Sequence, residues 1–162
     1  MGELEARGLV NQIAGDRNSL DALLRKRKVG IYAGVDPTAP SLHLGHLLPI
    51  MVLFWASLYG HQAVSLVGSA TARVGDPSGR LTSRVQTAES VHTSNALQMV
   101  KQTCGLWVNA MKYAERWGHT SSLAGEVRVE ENSKWLDGLG ILEFLKVLGS
   151  GVRVGTMLGR DT

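Results

Sequence analysis

The apolar positions of this chain fall into runs of two lengths, separated by polar and glycine-rich breaks. Residues 29–35 (Val-Gly-Ile-Tyr-Ala-Gly-Val) form a short run of strand length, residues 47–59 an apolar run of helical length, and residues 63–67 a second short run. Strand, helix and strand, all apolar, predict a parallel βαβ unit, because strands covered on both faces read as unbroken hydrophobic runs. Gly34 inside the first strand marks a close backbone approach, and Pro37 and Pro40 end that strand. The helix is apolar nearly all round, which predicts burial, and Gly60 sits where a C-terminal cap is expected.

Upstream, residues 4–9 and 20–24 have the spacing of short amphipathic helices, with Asn18 or Ser19 as the cap of the second. Downstream, residues 68–84 are a long loop rich in glycine and serine, and residues 88–117 read as one or two helices. A loop at 121–125 leads to a strand at 126–132, where Val127 and Val129 alternate with charges. A short amphipathic helix follows at 140–148, and residues 153–162 open a further element. The expected fold class is α/β. A helical segment at 1–28 precedes the first half of a Rossmann-like parallel sheet, from residue 29 to 162, with helices on both faces.

Composition narrows the picture a little. The chain has 162 residues, 44% hydrophobic and 19% charged, which is globular rather than disordered, and a formal net charge of +3, which permits an anionic partner without demanding one. The single cysteine, Cys104, excludes an internal disulfide and argues against a cysteine-based metal site. Residues 1–7 carry Glu3 and Glu5 and lack the basic bias of a transit peptide. The apolar runs are too short to span a membrane.

Candidate chemistry concentrates between the first strand and its helix, in Asp36-Pro37-Thr38-Ala39-Pro40-Ser41-Leu42-His43-Leu44-Gly45-His46. A strand-to-helix turn is a natural seat for phosphate, because the first N–H groups of a helix lack internal partners and its dipole adds partial positive charge. Gly45 between the histidines lets a ligand approach the backbone. A zinc reading of His43 and His46 lacks further ligands at suitable spacing. The second loop, with Gly75-Asp76-Pro77-Ser78-Gly79-Arg80, leaves the next strand of the same sheet. Ligands of open α/β sheets sit beyond the carboxyl ends of the strands, so Asp36 and Asp76 are expected to reach one crevice. Asp76-Pro77-Ser78-Gly79 also has the pattern of an ordinary β-turn. Tyr32 reads either as a buried ring with a partnered hydroxyl or as part of the crevice floor. Trp107, Trp117 and Trp135 read as core or interface residues, and Arg25-Lys26-Arg27-Lys28 as a solvated edge.

The run from Tyr32 to His46 resembles the first signature of the class I tyrosyl-tRNA synthetases. The run Leu66-Val67-Gly68-Ser69-Ala70-Thr71-Ala72-Arg73-Val74-Gly75-Asp76-Pro77-Ser78-Gly79-Arg80 resembles their second. Similarity extends over nearly the whole chain, and Ala39-Pro40 together with the ending Met157-Leu158-Gly159-Arg160-Asp161-Thr162 looks most like the fungal mitochondrial branch. The resemblance implies ATP-dependent activation of tyrosine and its transfer to tRNA(Tyr), with ATP and Mg2+ as substrate, no tightly bound cofactor and no resident metal. By position it implies that Tyr32, Asp76 and Leu66 hold tyrosine. Gly34, Asp36, Thr38, His43, Gly45 and His46 take ATP, with Thr38, His43 and His46 catalytic. Asn132 and Trp135 match a region behind the pocket.

The family's other half-sheet, its Lys-x-x-Lys-Ser-type loop and its anticodon-reading domains are not matched in these residues. The resemblance therefore implies an amino-terminal portion that holds half an active site and is inactive alone. It further implies a homodimer for the full-length protein, a place in the mitochondrial matrix or alternatively the cytoplasm, and no membrane partner. Two rival readings stand beside it. One is an RNA-binding portion of such a protein, with intron RNA as partner. The other is a His-x-Gly-His nucleotidyltransferase, in which the acidic residue lies closer to the first histidine than Asp36 does here.

Overall fold

The computed structural model describes residues 1–74, 88–120, 123–152 and 155. In chain order these form α1 (Gly2–Ala6), α2 (Arg17–Lys26), β1 (Gly30–Val35), α3 (Leu44–Leu58), β2 (Gln62–Val67), α4 (Thr71–Val74), α5 (Glu89–Arg116), β3 (Val127–Glu131), α6 (Ser133–Leu136) and α7 (Ile141–Val147). A 3-10 turn, Gly149–Gly151, follows. Asp76 and residues 75–80 of the second motif lie outside the described residues, as do 121–122 and nearly all of the last expected element.

The three strands make one parallel sheet in the order β1-β2-β3. Gly34 pairs with Leu66 and Leu66 with Glu130; Tyr32 pairs with Val64 and Val64 with Arg128. Both crossovers step in the same direction across the sheet. Right-handed crossovers of that kind lay their helices on one face, and both core clusters lie there. One joins Leu53 of α3, Ala63 of β2 and Trp107 of α5, with Ile31, Ala33, Val127 and Val129 against it. The other joins Val67, Ala96 and Met99, with Val35 and Leu42 against it. Phe54 meets the Trp107 ring edge-on at 4.5 Å, and the buried Trp107 indole donates to Ser65 Oγ at 2.8 Å. Each fully buried aliphatic chain contributes about 1.5–3 kcal/mol.

The opposite face carries Gly30, Tyr32 and Gly34 of β1. Among the described residues no strand pairs with the outer edge of β1. The expectation of a buried first strand is therefore corrected: its residues alternate between exposed and half-buried, and Tyr32 is 73% exposed. Helix α3 is likewise not buried all round. Ile50, Leu53, Ala56 and Ser57 face the sheet while Leu44 and Leu48 face solvent. The cap of α2 is Asp16 rather than Asn18 or Ser19, its carboxylate accepting the Ser19 N–H at 2.7 Å. Trp107 is core, but Trp117 and Trp135 are exposed.

The end of α3 shows why Gly60 is needed. Gly60 has φ +77°. Its N–H donates to the Ser57 carbonyl, and that of His61 to the Ala56 carbonyl, the Schellman pattern that satisfies the last carbonyls of a helix. Lys28 adds its ammonium to the Tyr59 carbonyl at 2.7 Å, a cation placed at the negative end of the helix dipole. The basic run is thus partly structural, since Arg25 also pairs with Asp21.

Candidate active site

β1 ends at Val35, and the chain turns over the carboxyl end of the sheet before entering α3. The outward row Tyr32, Gly34 and Asp36 continues the period of the strand onto this end. A methyl group added at Gly34 would meet only Leu66, at 3.8 Å, so the bare backbone between Tyr32 and Asp36 is open to a flat ligand. Leu66 stands beside it on β2, half-buried.

The turn itself is held tightly. Pro37 is fully buried. The Thr38 N–H bonds back to the Asp36 carbonyl at 2.8 Å, which leaves the Thr38 side chain exposed beside the strand end. His43 is the extended residue that caps α3, with φ −126° and ψ 171°. The imidazoles of His43 and His46 stack at 3.7 Å with an interplanar angle of 18°. Gly45 makes this possible, because a Cβ there would lie 3.0 Å from His43 Cε1. The His43 N–H donates to His46 Nδ1 at 3.2 Å. An accepting Nδ1 fixes His46 as the neutral tautomer with its proton on Nε2. Burial, and then the charge of His43, hold the His46 pKa below its ordinary value, in keeping with that tautomer. The N–H groups of Leu44 and Gly45 have no partner among the described residues. The first turn of α3 therefore offers unpaired backbone donors, a neutral imidazole donor and the positive end of a 15-residue helix. Such an arrangement can receive an anionic oxygen.

Asp36 is tied to the next strand ends. Thr71 donates its hydroxyl to Asp36 Oδ1 at 2.9 Å. Asn132, at the end of β3 and buried, donates to Thr71 Oγ1 at 3.1 Å and accepts the Ala70 N–H at 2.7 Å. Ser69 and Ser133 bridge the same loops at 2.8 Å. The carboxyl ends of all three strands are thus joined through side chains, at the place where open α/β sheets bind ligands.

The residues expected from the sequence to take a nucleotide, Gly34, Asp36, Thr38, His43, Gly45 and His46, lie along this one turn and strand end. Tyr32 and Leu66 lie on the adjoining outward face. Asp76 lies outside the described residues. Sequence reasoning missed Thr71 as the partner of Asp36, and it missed Asn95 and Gln102 of α5. Asn95 Nδ2 donates to the Pro37 carbonyl at 3.3 Å, while Gln102 bonds both Pro40 and Leu42. The only signal for these was polarity inside a helical pattern, which ordinary surface residues share.

Residues 24–162 match the family described as tRNA synthetases class I (W and Y). The chain is 41% identical over 156 residues to the mitochondrial tyrosine–tRNA ligase of Podospora anserina, covering 96% of this chain and 24% of that protein. It is 38% identical to the mitochondrial tyrosine–tRNA ligase of Saccharomyces cerevisiae, covering 100% and 34%. The chain thus spans about a quarter to a third of the length of these curated relatives. Its fold superposes on a C-terminally truncated mitochondrial tyrosyl-tRNA synthetase from Aspergillus nidulans with a TM-score of 0.94 and 44% identity, over 98% of this chain and 44% of that one. The parallel sheet, the helix start that it feeds and the match over residues 24–162 agree: this chain belongs to the class I tRNA synthetases, in the family of the tryptophan and tyrosine enzymes.

Proposed function

We infer that these residues form the amino-terminal half of the active site of a tyrosine–tRNA ligase working in mitochondria, with ATP, tyrosine and tRNA(Tyr) as substrates. One observation carries the reading: the outward row Tyr32, Gly34 and Asp36 leads, through the Pro37–Leu42 turn, to a helix start with unpaired donors and two stacked histidines. The row suits a flat amino acid and a nucleotide, and the helix start suits the phosphates between them. The names of the relatives support tyrosine and mitochondria.

In the first reaction the tyrosine carboxylate oxygen attacks the α-phosphorus of ATP, and the bond to the bridging oxygen breaks with loss of pyrophosphate. No residue becomes covalently bonded. In this reading Tyr32 gives its hydroxyl to the substrate phenol. Gly34 and Asp36 line the nucleotide. Thr38, His43 and the Gly45 backbone meet the departing phosphates, and His46 Nε2–H reaches the ribose. Asp76 holds the tyrosine ammonium, a role that rests on the sequence motif. Charge on the leaving group is met by donors already in place, which is where such enzymes gain rate. Mg2+ arrives as part of the ATP substrate.

Tyrosine-dependent exchange of pyrophosphate into ATP, measured on the full protein that carries these residues, tests this. Its absence, together with salt-sensitive binding of a structured RNA, would favour the RNA-binding reading instead.

A further inference from the structure

We propose that Gln102 is a positioning residue for the His43 turn: its carboxamide latches the Pro40–Leu42 segment to α5 and so fixes the helix start before a ligand arrives. The proposal rests on reading that helix start as the phosphate end of the site. Gln102 acts through the main chain of the turn and touches no reacting atom.

The turn cannot hold itself. It contains two prolines without N–H groups, and its one internal main-chain bond, Thr38 to Asp36, lies at its beginning. Further anchoring comes from one face of α5, where Asn95, Met99 and Gln102 are spaced four and three apart and so lie in a row. Asn95 Nδ2 donates to the Pro37 carbonyl at 3.3 Å. Met99 is fully buried in the cluster that Leu42 packs against. Gln102 makes two bonds at once: Nε2 donates to the Pro40 carbonyl at 3.1 Å, and Oε1 accepts the Leu42 N–H at 2.9 Å. Two antiparallel contacts from one planar amide fix register as well as distance. Leu42 immediately precedes His43, so its N–H is the last point at which the turn is held before the cap residue.

Gln102 and Leu42 are half-buried and Pro40 is exposed. Water can satisfy the freed Pro40 and Leu42 groups in a variant, so the loss falls on local order more than on the fold. A misplacement of about 1 Å at a reacting group can lower a rate about a hundredfold.

The test compares Gln102→Ala and Gln102→Glu with the parent in the full protein. Hydrogen exchange at the Leu42 amide should be accelerated in Gln102→Ala and less so in Gln102→Glu, which keeps the acceptor and loses the donor. Adenylate formation, normalised to titrated active sites, should fall about ten- to a hundredfold in Gln102→Ala with the KM for tyrosine unchanged, and Gln102→Glu should lie between. Melting temperatures report the fold separately. Unaltered Leu42 exchange, or an unaltered rate, would overturn the proposal. So would a parallel loss of rate, tyrosine affinity and melting temperature, which marks a purely structural role. If the parent itself lacks tyrosine-dependent exchange, the functional reading fails, while Leu42 exchange still decides whether Gln102 latches the turn.

Discussion

The hydroxyl of Thr71 reaches Asp36 Oδ1 at 2.9 Å across the space where Gly68 has no side chain. A Cβ at Gly68 would lie 2.0 Å from Asp36 Oδ1 and 2.5 Å from Thr71 Oγ1. The glycine is therefore required by the Asp36–Thr71 bridge and not by its own backbone, since its φ lies outside the left-handed region. Gly68→Ala should break that bridge and destabilise the fold by about 1–3 kcal/mol through overpacking. Denaturant melts of the parent and variant check it, and equal midpoints would show that the bridge is dispensable.

His43→Ala should lower the rate of tyrosyl-adenylate formation by about 10²–10³, the usual loss when one donor to developing charge is removed. The affinity for tyrosine should be little changed, because the contact strengthens as pyrophosphate departs. Rapid-quench kinetics on the full protein separate the two quantities. A collapse of tyrosine binding at an intact rate would remove His43 from the phosphates.

Two further glycines should respond with opposite signs. A Cβ at Gly125 would lie 1.8 Å from the His61 carbonyl oxygen, which is backbone and cannot swing aside. Gly125→Ala should cost about 3 kcal/mol, the upper part of the overpacking range. Gly105, exposed within α5, would meet nothing within 4 Å. Gly105→Ala should gain about 0.5–1 kcal/mol of helix stability. Thermal melts of both variants measure this difference.

His61 gives the fold a pH dependence. It is buried at 7% exposure, and its Nδ1 accepts the Val29 N–H at 3.4 Å. Burial first, and then the charge of Lys28, lower its pKa from the ordinary 6.5. A lowered pKa means that the folded state binds fewer protons than the unfolded one below about pH 6.5. Stability should therefore be full above that pH and fall as the pH drops through it, with His46 adding a change of the same sign. Melting temperatures at pH 7.5 and 5.8 should differ in that direction, and His61→Asn should reduce the difference. A parent protein more stable at pH 5.8 would contradict this.

The β1–α3–β2 unit is legible in the sequence because its runs are long, apolar and cleanly punctuated, and Gly60 marks the end of the helix. The strand-end and helix-start part of the candidate site is legible because its residues are contiguous, from Tyr32 to His46; Leu66 comes only from the resemblance, and Asp76 lies outside the described residues. Exposure of Tyr32 and of the Leu44–Leu48 flank of α3 is not legible: an apolar run looks the same whether a neighbour covers it or not. The bonding roles of Thr71, Asn95, Gln102 and Asn132 are hidden for another reason, although the resemblance already marks Asn132. Their bonds span 35 to 62 residues, and local pattern carries no information at that range. The Asp16 cap was missed because Ser19 and Asn18, both good cap residues, lie within the first turn.

In the proposed function the Tyr32 row reads a phenol beside a helix start that takes the phosphates of ATP. The most direct measurement is amino-acid-dependent ATP–pyrophosphate exchange by the full protein with tyrosine, phenylalanine and tryptophan, repeated for Tyr32→Phe. Exchange is expected with tyrosine alone in the parent, and a narrowed preference for tyrosine over phenylalanine in Tyr32→Phe, because one hydroxyl contact is lost while the ring is kept. Exchange supported by tryptophan, or a tyrosine preference untouched by Tyr32→Phe, would contradict it.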